Sequence, residues 1–213
     1  MRADLFFLSS LVGLLGRATA HGLVREPATR SPGKATEAVC GKTMVDFYLA
    51  DGTSYPEALL RANPGGLAAP YDPAKCNLWL CKGYQFDDNV ANVQTYTVGQ
   101  VVDFDVWIRI PHRGYANVSI VDTESNTIIG EPLISWPSDY AASANPPADQ
   151  TQFSVVIPDL GDKCTQAGAC VIQWYWFGQG QTYESCVDFT VAPAVPAAPE
   201  PGHGHRTRRK LRA

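Results

Sequence analysis

Apolar and polar residues alternate most regularly at 102–110, where Val102, Phe104, Val106, Ile108 and Ile110 share one face and Asp103, Asp105 and Arg109 the other. That two-residue period marks a half-buried strand. Runs rich in β-branched and aromatic residues predict further strands at 118–121, 127–129, 153–157, 171–177 and 183–191, with Gly, Pro and Asp between them. One short helix is predicted over 56–62, with Pro56 suited to its first turn. Strands at this spacing predict an all-β architecture, an antiparallel β-sandwich with long loops.

Both ends of the chain break the pattern. Residues 5–15 are almost uninterruptedly apolar, follow Arg2, and lead to Ala18-Thr19-Ala20, a small-x-small cleavage pattern. Residues 1–20 therefore read as a secretory signal peptide, since about 11 apolar residues are too few to span a bilayer. Cleavage after Ala20 would leave His21 as the first residue of a secreted, extracellular protein with no transmembrane segment. From Ala192 onward the chain turns Pro- and Ala-rich and ends in Gly-His-Gly-His and a basic run. That composition predicts a disordered tail over 192–213. Between them, 21–191 is a single domain by length.

Charge narrows the partners. Of 17 Lys and Arg residues, five lie in 206–212 and two in the leader, leaving ten against twenty acidic residues in 21–200. A body this acidic argues against nucleic acid and suits an uncharged substrate. The six cysteines, Cys40, Cys76, Cys81, Cys164, Cys170 and Cys186, read in an exported chain as three disulfides, with about 15 possible pairings. Local spacing favours Cys76–Cys81 and Cys164–Cys170, which leaves Cys40 for Cys186. Asn117-Val118-Ser119 is an N-glycosylation sequon five residues beyond His112, open either to a glycan that borders that region or to staying unused.

The histidines carry the candidate chemistry. There are four, and His203 and His205 lie in the tail, so the body holds only His21 and His112. A terminal histidine chelates a metal through its α-amino and ring nitrogens together, and an α-amino group, which ordinarily titrates at about 7.7–8, is readily deprotonated by a Lewis-acidic ion. One more imidazole, from His112 at the end of the 102–110 strand, completes three nitrogens. Tetragonal nitrogen ligation is what Cu(II) prefers, whereas zinc more often recruits carboxylate or thiolate.

His21-Gly22, Trp107-Ile108-Arg109-Ile110-Pro111-His112 and Gln181-Thr182-Tyr183-Glu184-Ser185-Cys186-Val187-Asp188 together resemble the lytic polysaccharide monooxygenases. The stretch from Cys76 to Asn89 is most similar to their sixteenth auxiliary-activity family, a mainly fungal, cellulose-active group. The resemblance spans 21–190 and implies an immunoglobulin/fibronectin-like sandwich holding one copper ion. His21 would then be the bidentate ligand, His112 the third nitrogen, Tyr183 the axial residue, and Gln181 a hydrogen-bonding group near the oxygen site. Gln173 would take the place of a histidine that some relatives carry nearby. The implied reaction is oxidative cleavage of cellulose, at C1, by a monomer that takes electrons from an external donor and uses O2 or H2O2.

Aromatic candidates for the substrate face are Tyr48, Tyr71, Tyr115 and Tyr140, for each of which packing against a loop is the commoner role. Two other function classes stay open at this point. A glycoside hydrolase needs paired carboxylates, and Asp87-Asp88 offers them only on opposite faces of a strand. A non-catalytic copper-binding protein for uptake or sensing would keep His21 and His112 without turnover.

Overall fold

A computed structural model describes residues 21–192; the leader at 1–20 and the tail at 193–213 lie outside them. Nine strands are described: β1 (His21–Glu26), β2 (Gln94–Tyr96), β3 (Val101–Ile110), β4 (Gly114–Asp122), β5 (Thr127–Ile128), β6 (Ile134–Tyr140), β7 (Gln152–Val156), β8 (Cys170–Gly178) and β9 (Gln181–Val191). Three α-helices, α1 (Lys34–Cys40), α2 (Lys42–Ala50) and α3 (Pro56–Ala62), fill the interval after β1. The strands form a three-stranded sheet, β1-β3-β7, and a six-stranded sheet, β2-β9-β8-β4-β5, with β6 also paired to β4. All pairings are antiparallel except β2 with β9.

The sandwich closes because each sheet has one apolar face. Val102, Phe104 and Val106 of β3 meet Val118 and Ile120 of β4, Trp174 and Trp176 of β8, and Val187 and Phe189 of β9 in one buried cluster. Two of its ring polar atoms are paired within the core, while the Trp176 indole nitrogen has no hydrogen-bond partner among the described residues. The Trp174 indole N–H donates to the Tyr140 hydroxyl at 3.1 Å, and that hydroxyl donates to the Gln150 carbonyl at 2.7 Å. A second cluster, with Met44, Val45, Tyr48, Leu59 and Leu78, packs the helices against the segment from Cys76 to Tyr84.

The predicted strands and helix all form, and the structure adds elements that the pattern hid. Residues 134–140 are the strand β6 despite Pro137, which such an edge position tolerates. Helix α1 has no side-chain cap of its own at Gly33. Its free N–H groups are met by Asp88, some fifty residues downstream, which accepts from the N–H groups of Gly33, Ala35 and Thr36 at 3.0, 2.8 and 2.7 Å. Partial burial pushes the Asp88 carboxyl up, but those bonds and the Thr36 hydroxyl outweigh it and leave it below its ordinary value. Asp88 is thus a helix cap supplied from a distance, and not half of a hydrolytic pair.

Two of the three expected disulfide pairings are corrected. Cys40 bonds Cys76, and Cys81 bonds Cys186, while Cys164–Cys170 is as expected. The turn at Cys81 and Lys82, both at positive φ, directs the Cys81 side chain onto β9, while Cys76 packs beneath α1. The two cysteines of one short loop therefore serve different partners. In the chain-entropy picture, the Cys81–Cys186 bridge, closing a separation of 105, stabilises by about 4.7 kcal/mol. The Cys164–Cys170 bridge, closing 6, contributes about 2 kcal/mol on the same scale. Replacing Cys81 and Cys186 together by alanine should lower the guanidinium midpoint roughly twice as far as the same change at Cys164 and Cys170. Equal shifts would count against this order.

Candidate metal centre

The site begins with β1. Its register with β3 sets His21 opposite Ile110, Gly22 opposite Ile108 and Leu23 opposite Trp107, with an irregularity after His21. His112 follows Ile110 by two residues, on the loop into β4, so the pairing brings the domain's two histidines to one end of the small sheet. His112 is only 5% exposed, and its Nδ1 has no hydrogen-bond partner among the described residues. A buried imidazole with an unmet nitrogen beside a second histidine is what a bound ion would complete. Among the described residues no group of three or more His, Cys, Asp or Glu is placed to hold a metal. The candidate donors at this corner are the His21 and His112 imidazoles.

Gly22 makes that approach possible. A Cβ there would stand 3.2 Å from both the Trp107 carbonyl and a Trp176 ring carbon. The glycine lets the terminus lie directly on Trp176. Trp176 in turn stacks on Tyr183, with ring centroids 4.4 Å apart, and the Tyr183 ring leans on Tyr55 at 5.1 Å. Tyr55 presents its edge to the His21 ring at 6.2 Å. Tyr183 is wholly buried, and burial, with the neighbouring Tyr55 and Glu57, holds its hydroxyl far above the ordinary tyrosine value. It is a neutral phenol at any working pH, and its O–H donates to Gln181 Oε1 at 2.6 Å. The expected quartet of His21, His112, Tyr183 and Gln181 thus belongs to one corner.

Three further contributors were not visible in the sequence. Asp51, just past α2, places Oδ2 3.3 Å from His21 Nε2 and 3.1 Å from an Arg109 nitrogen. Its other oxygen accepts from the Thr53 N–H and hydroxyl. Partial burial pushes the Asp51 carboxyl up, but the Thr53 bonds and the charges of His21 and Arg109 outweigh it and leave it below its ordinary value. A carboxylate on the far nitrogen of a ligating imidazole fixes the ring and raises its basicity. The Thr53 carbonyl also accepts from the Gly22 N–H at 3.3 Å. Behind this turn, the buried Lys82 ammonium donates to the Gly52 carbonyl at 2.8 Å. Burial lowers Lys82 to about 8 and raises Glu184, whose carboxylate accepts the Lys82 backbone N–H, to about 7. Tyr55 and Trp176, the packing partners of Tyr183, complete the missed set.

Other expected residues fall elsewhere. Gln173 lies opposite Ser119 and Cys186. It is an odd number of residues from Trp176, so it points to the outer face of the sheet and cannot replace a histidine near the metal. Tyr48 and Tyr140 are fully buried, in the helical and sandwich cores, and offer nothing to a substrate face. Tyr71 is half-buried and Tyr115 exposed, the latter on the outer sheet face.

Against known proteins, a family model described as lytic polysaccharide mono-oxygenase, cellulose-degrading, matches residues 21–189. Among solved structures, a chitin binding domain from Burkholderia pseudomallei is similar at 16% identity and TM-score 0.40, over 81% of this chain and 100% of that one. An AA10 lytic polysaccharide monooxygenase from Streptomyces lividans is similar at 15% identity and TM-score 0.38, over 80% and 99%. A Bacillus amyloliquefaciens CBM33 in complex with Cu(I) is similar at 13% identity and TM-score 0.39, over 81% and 100%. No curated protein matches. The matches name the broader monooxygenase family in place of the narrower sixteenth family expected from Cys76–Asn89.

Asp51→Asn should weaken metal binding to protein that begins at His21 by about 10- to 100-fold, read by competition with a calibrated chelator. Lys82→Met should cost about 1.5–3 kcal/mol through loss of a charged hydrogen bond, read by chemical denaturation. Metal affinity unchanged in Asp51→Asn would remove that carboxylate from the site.

Proposed function

Because the chain belongs to the lytic polysaccharide mono-oxygenase family, whose model spans 21–189, and is thereby a copper-dependent oxidoreductase acting with an external reductant, we propose that it is a secreted enzyme cleaving cellulose by C1 oxidation. The observation that supports this most is the β1–β3 register, which pairs His21 with Ile110, two residues before His112. In the proposed site one copper ion would be held by the α-amino and ring nitrogens of His21 and by the His112 imidazole, with Tyr183 as a further candidate ligand. Copper so bound supplies one-electron redox chemistry toward O2 or H2O2, which serves hydroxylation of a sugar carbon.

The protein's own groups divide the remaining work. Asp51 meets the His21 ring at Nε2, which would fix the ring while its other nitrogen and the terminal amine hold the metal. Tyr183, neutral and locked between Trp176 and Tyr55, closes the inner side of the site to water. Gln181, fixed by the Tyr183 phenol, stands at the start of β9 as a polar contact for oxygen or a sugar hydroxyl. None of these groups needs to gain or lose a proton to do so. Export supplies the remaining condition, because the α-amino group exists only after cleavage behind Ala20. No helix among the described residues is long and apolar enough to cross a membrane.

The family's description as cellulose-degrading favours cellulose. The name of the Burkholderia relative makes chitin the alternative to test. Copper-loaded protein beginning at His21, incubated with a reductant and amorphous cellulose, should release aldonic-acid oligosaccharides detectable by mass spectrometry. Release of 4-keto products alone would overturn C1 oxidation, and oxidised products from chitin alone would overturn cellulose. Protein carrying even one residue ahead of His21 should lose tight Cu(II) binding in calorimetry. Equal affinity in both forms would place the site elsewhere.

A further inference from the structure

The outer face of the six-stranded sheet is only partly covered. At one end Leu80 and the Cys81–Cys186 bridge pack on Val121 and Val171. The rest is an open groove of about 380 Å³ lined chiefly by Trp79, Tyr115, Asn117, Ile128, Gln173 and Tyr175. Trp79, Tyr115 and Ile128 are 45, 42 and 48% exposed, an apolar grouping that asks for a covering partner. Its one carboxylate, Glu184, is taken up by the Lys82 N–H, so the lining is aromatic rings and amides. That is the chemistry of a neutral sugar site.

The sequon Asn117-Val118-Ser119 sits in this groove. Strand alternation turns Ala116 and Val118 into the core and leaves Tyr115, Asn117 and Ser119 on the outer face. Across the ladder Asn117 faces Tyr175 and Tyr115 faces Phe177. The Tyr115 ring lies 6.2 Å from Tyr175 and 5.6 Å from Phe177. The asparagine therefore emerges between two tyrosines, one beside it on its own strand and one opposite. Ser119 Oγ donates to Asn117 Oδ1 at 2.8 Å, which turns Nδ2, the atom a glycan would be joined to, away from the serine.

We propose that Asn117 carries an N-linked glycan whose first sugars lie in this groove, their C–H faces against Tyr115 and Tyr175 and their polar groups toward Asn126 and Gln173. The bond forms on the exported chain when Nδ2 attacks the anomeric carbon of a lipid-pyrophosphate-linked oligosaccharide. The C–N bond forms, the anomeric C–O bond breaks, the lipid pyrophosphate leaves and the amide proton is lost to solvent. The glycan covers the exposed rings on the sheet face opposite Trp176 and Tyr183. It does not border the metal corner, which corrects the expectation drawn from its nearness to His112 in sequence.

The inference rests on the export reading above. The test is to secrete the full chain from a eukaryotic host and measure its intact mass before and after amidase deglycosylation. Endoglycosidase release is then timed on native wild type, Tyr115→Ala and Tyr115→Phe. The expected result is one glycan, lost in Asn117→Gln, released about five- to tenfold more slowly from wild type and Tyr115→Phe than from Tyr115→Ala, the scale of one aromatic contact. Tyr115 is exposed, so its truncation leaves the core intact; Tyr115→Phe controls for the ring. Protein recovered from the medium without added mass overturns the proposal and leaves the oxidase reading standing. A glycan released at equal rates from all three proteins overturns the groove as its bed. Protein retained in the cell overturns export and this proposal together.

Discussion

The pairing of β1 with β3 is the constraint on which the metal corner depends. A chain terminus is usually its least ordered part, yet the proposed site asks the first residue of the domain to serve as a ligand, which requires it to be held in place. The fold meets this with restraints from three directions. The ladder to β3 fixes the height of His21, and the Gly22 N–H is held by the Thr53 carbonyl. The Val24 N–H donates to Ser185 Oγ on β9 at 3.1 Å, across to the other sheet. With the strand so placed, Trp176 is the floor, Tyr183 the support beneath it, and Asp51 the stop behind the imidazole.

Much of the polar interior serves the same end. The helices do not meet the sheets through apolar contact alone. Arg30 pairs with the buried Asp188 through two nitrogens at 2.7 Å and reaches the Tyr84 carbonyl with a third at 3.1 Å. Lys82 and Glu184 stand nearby, each drawn toward neutrality by burial and partly held charged by the other. Such groups are costly to bury and costly to leave unpaired, so they fix one arrangement among several that hydrophobic contact would permit. Through the Gly52 carbonyl, Lys82 passes that definition to the turn carrying Asp51 and Thr53.

The sandwich was legible because β3, β4, β5, β7, β8 and β9 carry period-two patterns or apolar runs, and β8 and β9 are buried enough to read as continuous. His21 and His112 were legible by scarcity, and Tyr183 and Gln181 by resemblance. Asp51, Tyr55 and Trp176 were not, because nothing local marks them and their roles come from which strands pair. The disulfide error has the same origin, since spacing favours the short loop while the turn at Cys81 aims its sulfur at β9. Helix α1 was hidden because its cap is Asp88. Tyr48 and Tyr140 could be read as substrate-face or as packing aromatics, and packing is what each does.

The long reach of the Asp88 cap has a consequence for how the molecule is made. Helix α1 leaves the ribosome about fifty residues before the carboxylate that completes it, and Cys81 and Arg30 wait a further hundred or more for β9. The amino-terminal third thus travels as a half-finished part, with Arg30 and the Cys81 thiol uncommitted, until the closing strand arrives. Contacts so distant along the chain slow folding, and a vectorially delivered chain must stay unaggregated meanwhile. The corner made from the first residue of the domain is finished only by nearly its last, and any truncation that removes β9 leaves that residue without its support.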